Sequence, residues 1–270
     1  MKEIELRTVF NPVQPAVAPA SRAAIYTESR PDPRLSKYIY CYWQLKSAEK
    51  FAAPFSYRVI PDGCIDIFFN MRDIGEPRIM GFSTRYTEFD LGGSFYYAGV
   101  RFLPGSFPLL FNVNAAELTD RDEHLSDVVP FLARDLVQHL ESYSKFNSVN
   151  TILDNYFIKR IETIPLNPDK RIYNAINILL SSHGNINLKS DIDTGISPRQ
   201  LRRLFEFYVG DTPKVFSKVV RFQYFFQLLF SEKDYAYNTL FHEAGYYDQP
   251  HFNKDFKIFF GLTPGEALRR

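Results

Sequence analysis

The stretch Ala244-Gly-Tyr-Tyr-Asp-Gln-Pro-His-Phe-Asn-Lys-Asp-Phe256 decides how the C-terminal part of this chain folds. Gly245 stands one step past a predicted helix end, where a left-handed residue stops a helix, and Asp248 is an N-cap residue for the next helix. Phe252 and Phe256 are four residues apart and therefore share one buried face. The stretch predicts a helix-turn-helix unit whose second helix keeps its polar side exposed.

An earlier segment of the chain has the same internal pattern. Thr194-Gly-Ile-Ser197 leads into Pro198-Arg-Gln-Leu-Arg-Arg-Leu-Phe205, in which Leu201 and Phe205 are the buried pair. Between the two segments, the helical spacing of apolar residues predicts one long helix over about Pro213–Phe230. The sequence therefore predicts two helix-turn-helix units joined by a long helix.

The rest of the last hundred or so residues is also predicted to be helical, without strands. The additional predicted helices cover about Lys170–Ser182, Leu188–Thr194 and Ala236–Ala244, and a short turn ends the chain. Pro165 and Pro168 close the segment before them, which places a domain boundary near Asn167. Residues 1–166 are the first predicted domain and residues 167–270 the second.

The N-terminal domain is predicted to be an antiparallel β unit over residues 36 to 103. Short aromatic and β-branched runs, such as Tyr38–Leu45 and Cys64–Phe69, are bounded by turn residues. Helical spacing follows up to Leu140, whereas five prolines in the first 33 residues predict an irregular start. The fold class expected is α+β: a barrel-like, antiparallel β-rich domain with flanking helices, followed by an all-α domain.

The exposed positions of the two helices that follow the turns suit nucleic acid. Arginine pairs with guanine or phosphate, amide side chains read adenine, and lysine neutralises the backbone. A charged face is often merely solvated, but two such helices in tandem favour DNA, with about 34 Å between them if they enter successive major grooves. The candidate DNA-binding residues are Arg199, Arg202, Arg203, Gln249, His251, Asn253 and Lys254.

The charge distribution agrees with a polyanionic partner for the second domain, although it decides nothing alone. The whole chain has a net charge of only +1. From Lys170 onward there are 14 Lys and Arg against 10 Asp and Glu, whereas the first 169 residues contain 18 against 21. The C-terminal part is therefore the basic one.

Residues 170–270 resemble the DNA-binding domain of the AraC/XylS family of bacterial regulators. The resemblance is carried by Ile196–Phe205, Gly210-Asp-Thr-Pro213, Arg221, Ala244–Phe256 and Phe260-Gly-Leu-Thr-Pro264. It implies that the helix after each turn reads double-stranded DNA through the seven candidate residues, and that the chain is a sequence-specific transcription regulator.

Several residues depart from the family pattern. In the first unit Asn187, Ser190 and Asp191 take places that are normally apolar or small, and Phe225 and Phe241 do so in the long helix and second unit. Such residues cost about 1–3 kcal/mol each unless their neighbours repack. The first unit is therefore expected to be the weaker one. An interaction or sensing module whose DNA-binding units have decayed remains an alternative.

The N-terminal half resembles a poorly characterised sensor domain that is attached to some of these regulators. The resemblance is carried by Tyr38–Trp43, Val59–Gly63 with Ile65–Ile67, and Gly99–Gly105. It implies a small-molecule effector and permits a homodimer. With 17 Tyr and 26 Phe in the chain, a plain aromatic core is the competing interpretation. The candidate ligand-binding residues are Trp43, Asp62, Asp66 and Arg101.

Other classes of function lack support in the sequence. The five histidines have no zinc-ligand spacing, so no metal site or cofactor is expected. No nucleophile with a base and no phosphate-binding glycine loop is evident, and an enzyme is not predicted. The N-terminus lacks a signal-peptide pattern and no apolar run is long enough for a membrane span, so a cytoplasmic protein without membrane contact is expected.

Overall fold

The computed structural model describes residues 6–14, 24–141, 148–187, 192, 194–231 and 237–267. It has the predicted α+β architecture, with an antiparallel β domain first and a helical domain second. None of the helices among these residues is both long and apolar enough to cross a membrane.

Among the described residues of the N-terminal domain, eight strands form two sheets. The larger sheet contains β1 (Ala24–Ser29), β2 (Ile39–Ser47), β4 (Ile65–Asn70), β5 (Asp73–Met80), β7 (Tyr96–Phe102) and β8 (Asp122–His124) in the order β1-β2-β7-β4-β5-β8. The smaller sheet pairs β3 (Ser56–Val59) with β6 (Thr87–Asp90). The sheets pack together through aromatic side chains without closing into a barrel.

Alternation along the strands gives the larger sheet two different faces. In β4, Ile65, Ile67 and Phe69 are buried in the core beneath the helices, whereas Asp66 and Phe68 face the smaller sheet. The flanking helices are α1 (Ser106–Phe111), α2 (Leu125–Val128), α3 (Pro130–Glu141) and α4 (Val149–Thr163). One face of the sheet is therefore structural, and the other borders a space between the two sheets.

The first strand corrects the prediction of an irregular start. Residues Ala24–Ser29 pair along their whole length with β2 and form one edge of the sheet. The five prolines lie before or after this segment rather than within it, so no pairing amide is lost. The prediction from the proline content of the whole region therefore missed a short strand that contains no proline.

The C-terminal helices other than the one predicted over Leu188–Thr194 agree with the predicted ranges. They are α5 (Lys170–Ser181), α6 (Pro198–Tyr208), α7 (Pro213–Leu229), α8 (Tyr237–Glu243), α9 (Gln249–Phe260) and α10 (Pro264–Ala267). Ser197, Thr212 and Asp248 accept N-cap hydrogen bonds, as their positions predicted. Most of the predicted helix Leu188–Thr194 lies outside the described residues, and its two described residues, Ile192 and Thr194, are not in a helix.

The two unusual phenylalanines are accommodated by a core rich in aromatic rings. Phe225 is fully buried, with its ring centroid 4.7 Å from that of Phe252, and Phe241 stacks on the same ring at 5.7 Å. The neighbours have therefore repacked around both rings. Asn187 is exposed, and Ser190 and Asp191 lie outside the described residues.

The two domains share a hydrophobic core, which the sequence did not predict. Ile60, Phe82 and Leu103 of the β domain belong to the same buried cluster as the apolar residues of α5 to α9. The Thr119 hydroxyl donates to the Gly210 carbonyl at 2.6 Å across this contact. α4 ends and α5 begins on either side of the boundary predicted near Asn167, which stays a prediction.

Replacing Phe225 by Ala should lower the free energy of unfolding by about 3–5 kcal/mol, because the cavity would open beside Phe252 in the middle of the core. Urea denaturation followed by fluorescence measures this change. Phe230→Ala is the matched control: Phe230 is 54% exposed, so its loss should cost less than about 1 kcal/mol. Similar losses in both variants would contradict the assignment of this core.

Candidate DNA-binding interface and sensor pocket

The polar face of α6 is open to solvent. Arg199, Arg202 and Arg203 are all exposed, while Leu201 and Phe205 on the opposite side are buried. The Arg202 Nε donates to Glu206 Oε1 at 2.8 Å, and 64% of the Arg202 side chain remains exposed. Ion pairs this exposed contribute little, so a phosphate or a base can replace Glu206 as the partner of Arg202.

The polar face of α9 is partly engaged with the protein itself. Gln249 and Lys254 are exposed and Asn253 is half-buried. The His251 Nε2 lies 3.6 Å from an oxygen of the buried Asp255, whose other oxygen is 3.1 Å from the Lys218 ammonium. The His251 side chain therefore contacts Asp255 within the protein and is also partly exposed to solvent.

All seven candidate DNA-binding residues thus reach the surface, five fully and two in part. Within the part of the chain that the structure describes, the arginines of α6 are left exposed, whereas the polar side of α9 is partly covered at His251 and Asn253. That they contact DNA, and that they are spaced for successive grooves, stay predictions. Tyr247, in the turn before α9, is 88% exposed. It is not among the candidate DNA-binding residues named from the sequence.

The β domain holds the end of α9 through Arg58 of β3. The Arg58 Nη1 donates to the Phe260 carbonyl at 2.9 Å, and the guanidinium lies over the Tyr86 ring, 5.1 Å from its centroid. Glu88 of β6 orients this guanidinium through Nε and Nη2 at 3.0 and 2.6 Å. A cation at a helix C-terminus also interacts favourably with the helix dipole.

Gly261 makes this contact possible. Its φ of 87° ends α9 in the left-handed conformation, which glycine adopts without strain. A Cβ at this position would lie 2.6 Å from the Tyr86 ring, so the ring approaches the backbone more closely than a side chain would allow. The Phe260-Gly261 pair of the C-terminal pattern therefore serves both as helix stop and as docking point.

A pocket lies between the two sheets of the N-terminal domain. It contains about 780 Å³ of empty space, part of which is open to solvent. Six aromatic side chains line the pocket and are called the aromatic walls. Their residues are Tyr26, Trp43, Tyr57, Phe68, Phe89 and Tyr97.

The polar floor of the pocket is built around Arg101, which is only 4% exposed. Its Nη2 lies 3.1 Å from Asp66 Oδ2, its Nε 3.3 Å from Asp62 Oδ2, and its Nη1 3.5 Å from Glu28 Oε1. The Trp43 indole donates to Asp66 at 2.9 Å. Asp62, Asp66, Glu28 and Arg101 together are called the acid–arginine cluster.

The four candidate ligand-binding residues are therefore brought together, although they lie far apart in the chain. Trp43, Asp66 and Arg101 line the pocket, and Asp62 supports Arg101 from behind while accepting from the Gln14 amide and the Cys64 backbone. The other aromatic walls were not identified from the sequence. Tyr57 and Phe89 belong to the smaller sheet, and Tyr26, Phe68 and Tyr97 belong to the larger one, so only the packing of the two sheets brings them together.

A glycine lets Trp43 lie flat on the sheet. Gly99 of β7 is paired with Trp43 of β2, and the indole covers its Cα so closely that a Cβ would overlap the ring. The indole therefore reaches Asp66 on the next strand but one. Gly99 begins one of the motifs by which the N-terminal half resembles the sensor domain. Its pairing with Trp43 in the sheet gives the physical reason why a glycine stands there.

The acid–arginine cluster contains more negative than positive groups and is largely shielded from solvent. Loss of hydration raises the pKa of Asp66 to about 6, an effect that the neighbouring Asp62 increases and Arg101 opposes. Only 14% of the Asp66 side chain is exposed. A buried carboxylate of this kind is held at a cost in stability, as is common where a ligand completes the site.

Among the described residues, no group of three or more His, Cys, Asp or Glu side chains is arranged to hold a metal ion. Absence of a metal or cofactor stays a prediction.

Two protein-family descriptions match the chain: a domain of unknown function (DUF6597) over residues 27–124 and a helix-turn-helix domain over residues 193–270. No curated protein matches it. Among solved structures, ToxT from Vibrio cholerae is 13% identical, with 92% of this chain and 98% of that chain covered and a TM-score of 0.39. ToxT from Vibrio cholerae with a bound unsaturated fatty acid is 14% identical, with 92% and 95% covered and a TM-score of 0.41.

Asp66→Asn should remove one component of the pH dependence of stability. The pKa of Asp66 is higher in the folded chain than in the unfolded chain, so the ionised carboxylate lowers the free energy of unfolding above pH 6. As the pH drops below 6, Asp66 takes up a proton in the folded chain and this loss of stability becomes smaller. Between pH 7.5 and 5, the wild type should gain about 1 kcal/mol relative to the variant. Thermal and urea unfolding at several pH values test this, and parallel pH curves for the two proteins would contradict it.

Proposed function

Because the C-terminal part of this chain is an AraC-type helix-turn-helix domain, we propose that the chain is a sequence-specific transcription regulator whose DNA binding responds to a small molecule in the sensor pocket. The observation that carries the DNA-binding part is the pair of exposed polar faces on α6 and α9, each opposite a buried apolar face. The pocket with its buried polar floor supports the effector part.

The smaller sheet provides a physical route between the pocket and α9. In β3, Tyr57 and Val59 face the pocket, whereas Arg58 between them faces outward and binds the carbonyl of Phe260. A ligand that shifts the smaller sheet would therefore shift the group that holds the end of α9. The ligand controls DNA affinity only to the extent that it binds the two positions of this sheet unequally.

The proposal gives the β domain a binding role and no catalytic step. The expected compartment is the cytoplasm, because the target is chromosomal DNA. A homodimer is part of the proposal as well, since paired half-sites are common in DNA recognition by such regulators.

Arg203→Ala and Lys254→Ala should each weaken binding to a cognate site by about 1–3 kcal/mol if the residue reads a base. If it neutralises a phosphate, the slope of log K against log salt should become shallower by about 1. The site is first recovered by genomic selection with purified protein, and affinity is then measured by fluorescence anisotropy at several salt concentrations.

Arg134→Ala is the matched control, since Arg134 is an exposed arginine of α3 in the other domain, and its loss should leave DNA affinity unchanged. Unchanged affinity in both the Arg203 and the Lys254 variants would remove this interface. Failure of the wild type to shift any duplex in the presence of competitor would instead favour the interaction module with decayed DNA-binding units.

Arg58→Ala should loosen the C-terminal end of α9, because the variant loses a charge-assisted hydrogen bond to the Phe260 carbonyl. Hydrogen exchange of residues 257–263 should become faster by roughly tenfold, which corresponds to about 1.4 kcal/mol. Arg121→Ala removes an exposed arginine elsewhere in the same domain and should leave this exchange unchanged. Equal exchange in wild type and Arg58→Ala would show that the contact does not restrain α9.

A further inference from the structure

We propose that the sensor pocket binds an amine, namely a molecule with an aromatic or apolar body between the aromatic walls and a positively charged amino group against Asp66. The inference specifies the effector class of the proposed function. The role of the amine as an effector rests on the proposed function, whereas its binding to the pocket does not.

The aromatic walls suit a cation as well as an apolar body. Six rings from both sheets border the pocket, and Trp43 lies between Tyr26 and Phe68, with centroid distances of 6.4 and 6.3 Å. The face of an aromatic ring attracts a cation, and this attraction grows when water is excluded. The aromatic walls can therefore contact both the apolar body of an amine and its charged amino group.

The charges on the floor favour a cation over an anion. Three carboxylates, those of Asp62, Asp66 and Glu28, surround the single guanidinium of Arg101 within 3.1 to 3.5 Å. The pocket's other arginine, Arg78, is already matched by Asp122 at 2.7 Å. A ligand carboxylate would add repulsion to a floor with excess negative charge, whereas an ammonium group would balance it.

Asp66 retains capacity to accept a further hydrogen bond. Its Oδ2 accepts from the Trp43 indole and from Arg101 Nη2, but Oδ1 accepts only from Arg101 Nε at 3.2 Å among the described residues. Two carboxylate oxygens offer about four acceptor positions. The free position on a lining residue is the expected place for the amino group.

The floor is also incomplete on its donor side. The Arg101 Nη1 is buried and has no hydrogen-bond partner among the described residues, although Glu28 lies 3.5 Å away. A buried donor without an acceptor lowers the stability of the folded chain. A neutral oxygen of the ligand that reaches this donor would satisfy it.

The test compares three probes with the same aromatic body and different head groups. They are 2-phenylethylamine, 2-phenylethanol and 3-phenylpropionate, titrated into the full chain at pH 7.5 by calorimetry and thermal shift. The amine should bind at least about tenfold more tightly than the carboxylate, with the alcohol between them. The comparison is made on the wild type and needs no variant to fold. Preference for the carboxylate, equal affinity for all three, or binding of none would overturn the proposal.

Two variants then locate the amino group. Asp66→Asn should weaken binding of the amine by about tenfold or more and leave binding of the alcohol within about twofold, because only the charge partner is lost. Asp127→Asn makes the same chemical change at an exposed position on α2, outside this pocket, and should alter neither probe. Equal weakening of amine and alcohol by Asp66→Asn would assign Asp66 a structural role and overturn its place in the proposal.

DNA binding is measured separately on the same preparation. Amine binding without any specific DNA binding would leave the ligand class standing and remove the proposed function. Specific DNA binding without amine preference would do the reverse.

Discussion

The outward direction of the two polar surfaces proposed to contact DNA depends on the burial of the opposite faces of α6 and α9 in one aromatic core. Phe205 of α6 packs against Phe216, and Phe252 and Phe256 of α9 pack against Phe225. Because each helix has only one apolar face, burying that face leaves the arginines, amides and lysine at the surface. The same core extends into the β domain, so the position of the helices is linked to the domain that contains the pocket.

The larger sheet separates stability from binding by strand alternation. One face packs beneath α1, α3 and α4, and the other carries Trp43, Asp66 and Arg101 toward the smaller sheet. A single arginine among three carboxylates is a costly arrangement for a site with no ligand, since both loss of hydration and repulsion act against it. Hydrophobic burial on the opposite face offsets this cost, which lets the domain keep a polar floor inside.

The smaller sheet contacts both the pocket and α9. Its inner residues border the pocket and its outer Arg58 holds the last carbonyl of α9, only one residue away along the strand. Gly210 makes a second close contact between the domains, since a Cβ there would lie 2.8 Å from both Phe82 and Thr119. The two domains therefore contact each other at Arg58 and at Gly210, and contacts of this kind are the physical requirement for the proposed ligand control.

The sequence by itself determined the helical domain, its caps and its exposed faces, because helix periodicity, N-cap residues and stop glycines act within a few residues. It also indicated Trp43, Asp62, Asp66 and Arg101, through motifs rather than through any visible proximity. It missed β1, since prolines on both sides of Ala24–Ser29 concealed the strand, and it treated the phenyl rings of Phe225 and Phe241 as costs. Only the tertiary structure decided that these rings share Phe252, that Arg101 lies among three carboxylates, and that Arg58 reaches α9. Apart from the contact of Phe241 with Phe252, these contacts join segments that are distant in the chain, and local sequence patterns carry no information about which distant surfaces come together.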